Sequence, residues 1–337
     1  MEHVAIDLGG RESQICVRNG EGKIIEERRW STASLAKYLR LRPPSVVVME
    51  TCSEAFDVAA EAAELGHQVR VVPASLAPSL GVGARRTKTD RRDAQVLSEV
   101  STRIDLPGVH IPSLPSRRAK SLCTARSTLV KSRTQLVNAV RGALRTHRMR
   151  VRLGTDNFAQ RVRTAQPDLP GYLLPLLTAI EQLTTHIKEL DAQVAALAKK
   201  HPVCPRLMTI PGVGPLTALR FVATIDDVSR FPSAHKLQAY LGLTPGEDSS
   251  SDHKRRTNIT KAGPTMMRWL LVQAAWCVRR TRGEPPLRTW SNKIELRRGK
   301  GVAVVALARK LAGIMYALWR DGTVYDPSQT TSSEPSS

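Results

Sequence analysis

The sequence contains no pair of cysteines at Cys-x-x-Cys spacing, although zinc ribbons and disulfide-rich secreted domains rely on closely spaced cysteines. Its five cysteines are scattered along the chain at Cys16, Cys52, Cys123, Cys204 and Cys277. No apolar run approaches the roughly 18 residues that span a bilayer, and residues 1–7 lack the basic-then-apolar pattern of a signal peptide. These absences argue against a membrane protein and predict a cytoplasmic one with reduced, structural thiols.

Acidic and aromatic residues are both scarce. Asp and Glu total 30 against 51 Lys and Arg, which gives a net charge of +21. A charge of this size attracts a polyanion through counterion release, so nucleic acid is the expected partner. Only 4% of the residues are aromatic, which leaves few platforms for stacking single-stranded bases. The length of 337 residues suits two domains and a connector.

The first hundred residues alternate short apolar runs with helical patterns. We predict strands at residues 4–6, 15–17, 24–25, 46–49 and 69–72. Helices are predicted over residues 31–41 and 53–66. Three strands joined by hairpins and followed by alternating helices and strands form the order of a ribonuclease H-like α/β fold. Fold alone does not give function.

Carboxylates stand at the ends of two of these strands. Asp7 closes the first apolar strand and Glu50 closes the fourth, where an unpaired charge would be costly to bury. Asp90 and Asp93 are three residues apart at the start of a predicted helix that begins at Thr89 or Asp90, so they share one face. Each acid alone is typical of a cap or a turn. Together they predict a site for a hard divalent cation with oxygen ligands.

Residues 106–155 contain no acid but 11 Lys or Arg, a one-sided charge pattern that predicts contact with DNA or RNA rather than a merely solvated face. The candidate contacts are Arg117, Arg118, Lys120, Arg126, Lys131, Arg133, Arg141 and Arg145. Apolar residues recur at sevens at Leu122, Leu129 and Leu136. They alternate steps of three and four over Leu173, Leu176, Ile180, Leu183, Ile187, Leu190, Val194 and Leu197, a heptad seam. The two segments pair either as an antiparallel helical arm or between subunits.

The remaining third contains two polar features. The string Ile-Pro-Gly-Val-Gly-Pro at 210–215 is typical of a helix-hairpin-helix, in which Gly212 and Gly214 can expose backbone N–H groups to a phosphate. A Gly- and Ser-bearing loop is predicted at 242–253, and its serine run alone indicates only a polar loop. Residues 327–337 have no apolar period and are predicted to be disordered.

Three strings together resemble a known family. Residues 5–9 (Ala-Ile-Asp-Leu-Gly), 48–51 (Val-Met-Glu-Thr) and 86–94 (Arg-Thr-Lys-Thr-Asp-Arg-Arg-Asp-Ala) are similar to the DEDD motif of the RuvC-like domain in the bridge-RNA-guided transposases of the IS110 insertion-sequence family. This resemblance implies that Asp7, Glu50, Asp90 and Asp93 bind Mg²⁺ beside a DNA phosphate.

The transposase domain of that family is matched by residues 242–245 (Gly-Leu-Thr-Pro), by a serine five residues after the proline and by residues 259–263 (Ile-Thr-Lys-Ala-Gly). The resemblance implies that Ser250 attacks DNA to form a phosphoserine intermediate. Ser249 is a rival, since the family places a glycine soon after its serine and Ser251, Asp252 and His253 follow here. The residues expected to hold the attacked phosphate are Lys254, Arg255, Arg256 and Lys261.

The resemblance further implies a bridge RNA that pairs with donor and target DNA, and a homo-oligomer, dimer or tetramer, whose subunits share one composite active site. The expected domains are a RuvC-like domain (1–105), a basic coiled-coil-like helical arm (106–202), a mainly α-helical transposase domain with the helix-hairpin-helix (203–322) and a disordered tail (323–337). Two rivals remain: a RuvC-type hydrolytic nuclease, which would not need the serine, and a non-catalytic nucleic-acid-binding protein.

Overall fold

The computed structural model describes residues 1–76, 79, 90–149, 154, 157–165, 169–250, 253–283 and 285–330. Within these ranges, the side chains of residues 247–250, 253–256 and 329–330 are outside the description, as is the predicted helix start at Thr89. The chain forms two compact units, Met1–Pro112 and Ser113–Ser337. The first is a mixed α/β unit around a central sheet, and the second is mainly helical.

The first unit is built on a five-stranded sheet in the order β3-β2-β1-β4-β5. Its strands are β1 (His3–Asp7), β2 (Glu12–Arg18), β3 (Ile24–Ser31), β4 (Val46–Glu50) and β5 (Gln68–Val72). The three N-terminal strands are antiparallel, whereas β4 and β5 run parallel to β1. All five predicted strands are therefore confirmed, and the architecture is compatible with a RuvC-like fold.

Helices cover both faces of this sheet. One face carries α1 (Leu35–Arg40) and α2 (Ala55–Glu64) over a core that includes Ile6 and Met49. The other face carries α3 (Asp90–Arg103), which packs on Ala5 and Val48. Successive strand residues point to opposite faces, so the apolar runs of β1 and β4 fill both cores at once.

The predicted domain boundary at residue 105 differs from the end of the first unit at Pro112. The intervening segment packs on the sheet because Leu106 is 3% exposed and Val109 donates its backbone N–H to the Val71 carbonyl. The expected division into a separate arm and transposase domain remains a prediction, since both segments lie in one compact unit.

The second unit consists of helices and one β-hairpin. Its helices are α4 (Leu114–Thr146), α5 (Phe158–Ala165), α6 (Leu174–Lys200), α7 (Cys204–Leu207), α8 (Pro215–Ile225), α9 (Ala234–Tyr240), α10 (Thr265–Arg280), α11 (Pro286–Arg298) and α12 (Lys300–Asp321). The hairpin is formed by β6 (Pro245–Ser250) and β7 (His253–Ile259). The hydroxyl of Ser113 caps α4 by accepting the Ser116 N–H at 3.4 Å.

The long helices α4 and α6 pack as an antiparallel pair within the chain. Cys123 shares a core with Val194 and Ala198, whereas Val140 near the other end of α4 shares one with Leu177. Of the two arrangements that the heptad pattern allowed, the structure contains the intrachain arm.

The seam of this pair differs from the predicted one by one residue on α4. Cys123, Val137 and Leu144 are buried there, while the predicted Leu122, Leu129 and Leu136 are only half-buried. On α6 and the turn before it, the predicted Leu173, Ile180, Ile187 and Val194 are buried. The other buried positions are Leu177, Thr184 and Ala198, whereas Leu176, Leu183 and Leu190 are half-buried and Leu197 is exposed. Polar pairs across the seam explain the shift, because Arg126 binds Asp191 and Arg133 binds Thr184.

The main core of the second unit is formed by α7, α8, α10 and α12. By length and composition α12 could cross a bilayer, but half of its most apolar window is buried inside the unit, which does not suggest a membrane protein. All five cysteines are free thiols. Burial raises the pKa of Cys123 to about 11 and that of Cys204 to about 12, so both stay protonated in the core.

The predicted disordered tail is partly ordered. Tyr325 packs against the main core of the second unit, and its backbone N–H donates to Thr209 Oγ1 at 2.9 Å. Disorder of the rest of the tail stays a prediction. Residues 331–337 lie outside the described part of the chain.

Candidate functional site

Two of the predicted acids end adjacent parallel strands. Ile6 of β1 pairs in register with Met49 of β4, so Asp7 and Glu50 follow side by side at the same edge of the sheet. Each acid comes two residues after a residue in the core beneath α3, and alternate strand residues share a face. Both carboxylates therefore belong to the face that α3 covers.

A tight turn follows Asp7. A Cβ on Gly9 would lie 2.2 Å from the Glu12 carbonyl oxygen, so a side chain there would force the β1–β2 connection open. Thr32 Oγ1 donates to the Gly9 carbonyl at 2.7 Å. These contacts fix the end of β1, and with it the position of Asp7.

Polar contacts anchor α3 across the sheet. His3 Nδ1 lies 3.2 Å from Ser101 Oγ, and Ser98 Oγ donates to Cys16 Sγ at 3.2 Å. Cys16 pairs with Ala5 in the sheet, so Ser98 lies near Ala5 and Ser101 lies near His3. Residue numbers therefore decrease along α3 in the direction in which they increase along β1. The helix and the strand therefore run antiparallel.

This geometry brings Asp93 level with the strand ends. Eight helical residues separate Ser101 from Asp93, a rise of about 12 Å, and four strand residues separate His3 from Asp7, about 13 Å. Asp93 is only 6% exposed and lies on the buried face of α3, whereas Asp90 is exposed. Three of the four predicted acids are thus carried by elements that end at one edge of the sheet, with Asp90 on the solvent side.

The beginning of α3 is also tied to the opposite edge strand. Arg91 and Gln95 both donate to the carboxylate of Glu27 on β3. These two hydrogen bonds, with Arg91 first, hold the pKa of Glu27 below its usual range. An ionised Glu27 therefore helps to fix the first turns of α3, where Asp90 and Asp93 lie.

The residue types at this edge suit a hard cation, because carboxylate oxygens are the ligands that Mg²⁺ prefers. Within the described residues, however, no three acidic, histidine or cysteine side chains stand close enough together to hold a metal. The structure thus supplies the donor type and the shared edge, without a closed coordination shell.

The basic residues of α4 divide into two groups. Arg126 binds Asp191 at 2.8 Å, and Arg133 is 7% exposed and donates to Thr184. These two bind partners on α6 in this structure, and their contact with nucleic acid stays a prediction. Arg117 and Arg141 are half-buried, and Arg141 stacks on the Phe158 ring at 5.2 Å. The exposed members are Arg118, Lys120, Lys131 and Arg145.

A second cation lies beside Lys120. Arg220 on α8 is 5% exposed, and its Nη1 donates to the Lys120 carbonyl at 2.7 Å and to Thr124 Oγ1 at 2.9 Å. Although the Lys120 side chain reaches solvent, the protein around it removes part of its hydration; this desolvation, with the charge of Arg220 second, lowers the pKa of Lys120. An approaching anion would offset both effects.

The two glycines of the 210–215 turn differ in their surroundings. Gly212 has φ +83°, and a Cβ there would lie 2.6 Å from the Ala274 carbonyl oxygen on α10. Gly214 precedes α8 in an extended conformation, and a Cβ there would meet open space. Close packing therefore accounts for Gly212, and Gly214 is the better placed of the two for phosphate contact.

The serine segment is a β-hairpin rather than the predicted loop. Ser250 ends β6 and pairs with His253, while Ser249 pairs with Lys254. Glu247 and Asp248 pair with Arg256 and Arg255 in the ladder. The prediction failed because these strands contain almost no apolar residues. Ser251 and Asp252 lie outside the described residues.

The two ends of the hairpin are locked together. Lys261 donates its N–H to the Gly242 carbonyl at 3.2 Å and adopts φ +55°, a left-handed conformation that is unfavourable for a residue with a side chain. A Cβ on Gly242 would lie 2.2 Å from the Ala262 oxygen, and one on Gly263 would lie 2.1 Å from the Tyr240 oxygen. Only glycine permits this close crossing, which fixes where the hairpin leaves the core.

The buried side chain of Arg268 binds both segments of this crossing. It is 9% exposed, and its Nη1 donates to the carbonyls of Leu241 at 3.0 Å and of Ala262 at 2.7 Å. One guanidinium on α10 therefore binds both segments that flank the hairpin.

Arg268→Ala should destabilise the fold by about 1–3 kcal/mol, since the buried Leu241 carbonyl and the partly buried Ala262 carbonyl lose a charged donor. It should also increase amide hydrogen exchange in β6 and β7. Arg288→Ala is a matched control, because Arg288 Nη1 also donates to two carbonyls, those of Thr281 and Gly283, at an exposed site. Equal exchange in the hairpin of both variants would refute a specific role of Arg268.

Sequence reasoning missed Arg268. It follows Met267 in an apolar helix and resembles an ordinary surface arginine. The signal that could have revealed it is the pair Gly242 and Gly263, which flank the polar segment symmetrically and indicate a close backbone crossing.

Comparison with known proteins matches both units. Residues 4–149 match a family of DEDD transposases from IS110 elements, described as transposases. Residues 204–290 match the family described as transposase IS116/IS110/IS902. The matches include the strand-end acids in the first case and the hairpin with its Arg268 crossing in the second. The DEDD domain suggests a divalent metal.

Full-length relatives agree with these matches. The chain is 30% identical to a probable family 20 transposase of Pseudomonas aeruginosa, over 97% of this chain and 99% of that protein. It is 29% identical to the transposase of IS1111A from Coxiella burnetii, over 94% and 88% of the two chains. It is also 29% identical to the transposase of IS1328 from Yersinia enterocolitica, over 96% and 98%. The chain is therefore an enzyme of DNA recombination and belongs to the IS116/IS110/IS902 transposase family.

Proposed function

We propose that this transposase cuts and rejoins DNA through a phosphoserine intermediate on Ser250, aided by Mg²⁺ at Asp7, Glu50, Asp90 and Asp93. The observation that carries most weight is that Asp7 and Glu50 end adjacent parallel strands at one edge of the sheet, on the face that α3 covers with Asp93. Carboxylate oxygens are the ligands that Mg²⁺ prefers. The match to the DEDD family supports a divalent metal at this edge.

Asp7, Glu50 and Asp93 would bind the metal directly, and Asp90 would approach from the solvent side. When bound, Mg²⁺ supplies positive charge that stabilises the attacked phosphate. The remaining task of the protein is positioning: Gly9 and the α3 anchors hold the three carboxylates at one edge.

In the serine step, the Ser250 hydroxyl oxygen attacks the phosphorus of a DNA phosphodiester. The new P–O bond forms as the bond to the departing deoxyribose oxygen breaks, the serine proton is lost to a base, and the departing oxygen takes up a proton. The phosphoserine ester conserves the bond energy, so attack by another DNA hydroxyl reverses the step and rejoins the strands. Lys261, held by Gly242, and the β7 residues Lys254, Arg255 and Arg256 would bind the phosphate oxygens.

Nucleic acid would lie along the exposed face of α4. Between Arg118, Lys131 and Arg145 this face carries small and polar residues without an acid. Arg117 and Arg141 border it, and Lys120 with Arg220 beside it forms a preferred phosphate position. Gly214 at the start of α8 offers a further contact through its backbone.

We also propose that a bridge RNA selects the donor and target DNA, and that the active enzyme is a homo-oligomer, a dimer or a tetramer. The low aromatic content supports RNA guidance, since base pairing replaces stacking as the means of reading sequence.

The test is to incubate the purified protein with its element's flanking RNA and DNA ends. Rejoined DNA together with a protein–DNA adduct under denaturing conditions is the expected result. Cleaved DNA without an adduct would show a hydrolytic nuclease, for which the acids alone suffice. Binding without cleavage would show a nucleic-acid-binding protein.

A further inference from the structure

The exposed side of α10 forms a strip that begins at the base of the serine hairpin. Thr265, Trp269, Gln273, Cys277 and Arg280 are exposed and recur every three or four residues, which places them along one side of the helix. Trp269 is 52% exposed. The helix contains no Asp or Glu, so nothing along the strip repels a polyanion.

This strip leads to a basic corner, which we define as Arg280 with Arg297, Arg298 and Lys300. Gly299 has φ +81° and lies between the end of α11 and the start of α12. Every residue from 296 to 302 is exposed. The turn therefore presents three cations of the corner to solvent from one short segment.

The charge of the corner is not balanced by its own helices. The only acid on α11, Glu295, binds Arg279, and the only acid on α12, Asp321, binds Arg320 at the far end of that helix. Arg280 and Lys300 approach one ring, that of Trp276, at 5.8 and 5.3 Å from its centroid. Two like charges beside one ring favour an anion as a third partner.

The length of α10 gives the distance from the base of the hairpin to the basic corner. Its 16 residues span about 22–24 Å. Along B-DNA, with about 3.4 Å per base pair, this corresponds to six or seven base pairs. A duplex that lies on the strip with one end at the hairpin would reach the corner at that distance.

We propose that the basic corner binds the phosphate backbone of the double-stranded DNA flank, about six to seven base pairs from the phosphodiester that the hairpin serine attacks. The position rests on the proposed function, whereas binding of duplex DNA at the corner does not. The duplex would lie along the strip, and the cations of the corner would bind its phosphates.

The test compares the triple variant Arg297→Gln, Arg298→Gln and Lys300→Gln with a matched control, Lys188→Gln, Lys199→Gln and Lys200→Gln. The control also removes three exposed charges, but from α6, which has acids of its own. Both sets are made in a Ser250→Ala background, so that DNA binding is measured without reaction. Equal melting temperatures establish that both variants fold.

Each lost phosphate contact should reduce the slope of log affinity against log salt by about 0.9. The corner variant should therefore lose about two to three units of slope on a duplex with a 12-base-pair flank. It should lose none when the flank is cut to four base pairs, and the control should change little with either DNA. Phosphate ethylation at six to seven base pairs should interfere with binding of the parent protein only.

Equal slopes for the two variants, an effect independent of flank length, or a loss confined to RNA would overturn the proposal. A change of oligomeric state in the corner variant, with DNA binding intact, would assign the corner to a second copy of the chain and equally overturn it. Failure of the proposed function has a different signature, since it would abolish the adduct of the parent protein without altering these slopes.

Discussion

Ser250→Ala is expected to abolish covalent attachment of the protein to DNA and to lower recombination by about three orders of magnitude or more, the scale of removing a nucleophile. The substitution removes one hydroxyl at the last position of β6, where the hairpin backbone stays paired through His253. Non-covalent affinity for DNA should therefore stay within about twofold.

Ser249→Ala is the matched control for this prediction. It makes the same chemical change one residue away in the same strand. Ser249→Ala should keep the adduct. The reverse pattern would identify Ser249 as the nucleophile, and normal recombination in both variants would eliminate serine chemistry altogether.

Asp7→Asn and Asp93→Asn should each reduce strand cleavage by about two to three orders of magnitude. The amide keeps the shape of the carboxylate but removes the charge that would bind Mg²⁺. The melting temperature of each variant is measured first in the absence of metal, so that a loss of cleavage is not confused with a loss of fold. Added Mg²⁺ should raise the melting temperature of the parent protein more than that of either variant.

Glu64→Gln, at the exposed end of α2, is the control for these two variants and should behave like the parent protein. Asp90→Asn tests separately whether the solvent-side acid is required. Full cleavage activity in both Asp7→Asn and Asp93→Asn, with an unchanged response to Mg²⁺, would defeat the metal-site hypothesis.

The sheet and its two strand-end acids were predictable from the sequence. Residues 4–6 and 46–49 are continuous apolar runs, which indicate strands buried on both faces, and an acid directly after such a run marks its end. The order of strands and helices then gave the fold class. The sequence did not predict how far along the strands Asp93 lies, because this position depends on the contacts of Ser98 and Ser101 with the sheet.

The pairing of two long helices was predicted correctly, but several of the residues that face each other between them were not. Apolar periodicity favoured Leu183 and Leu190 as seam residues, whereas the seam contains Thr184 and Asp191, which bind Arg133 and Arg126. A pattern that counts only apolar residues does not detect such polar pairs.

The serine hairpin escaped prediction because backbone pairing, rather than apolar alternation, defines its strands. Its position depends on long-range contacts: the carbonyls of Leu241 and Ala262 meet at Arg268, and two glycines allow the chain to cross. Interactions between residues that are far apart in the sequence, such as Leu241 with Arg268, leave little trace in local sequence patterns.

The central claim is that this transposase links itself to DNA through one serine. The most direct measurement is to trap the protein–DNA adduct under denaturing conditions, digest both components, and identify the modified residue by mass spectrometry. The account predicts a phosphodeoxynucleotide on Ser250. DNA that is cut and rejoined with no modified peptide, or with the nucleotide on a residue outside the β6–β7 hairpin, would contradict it.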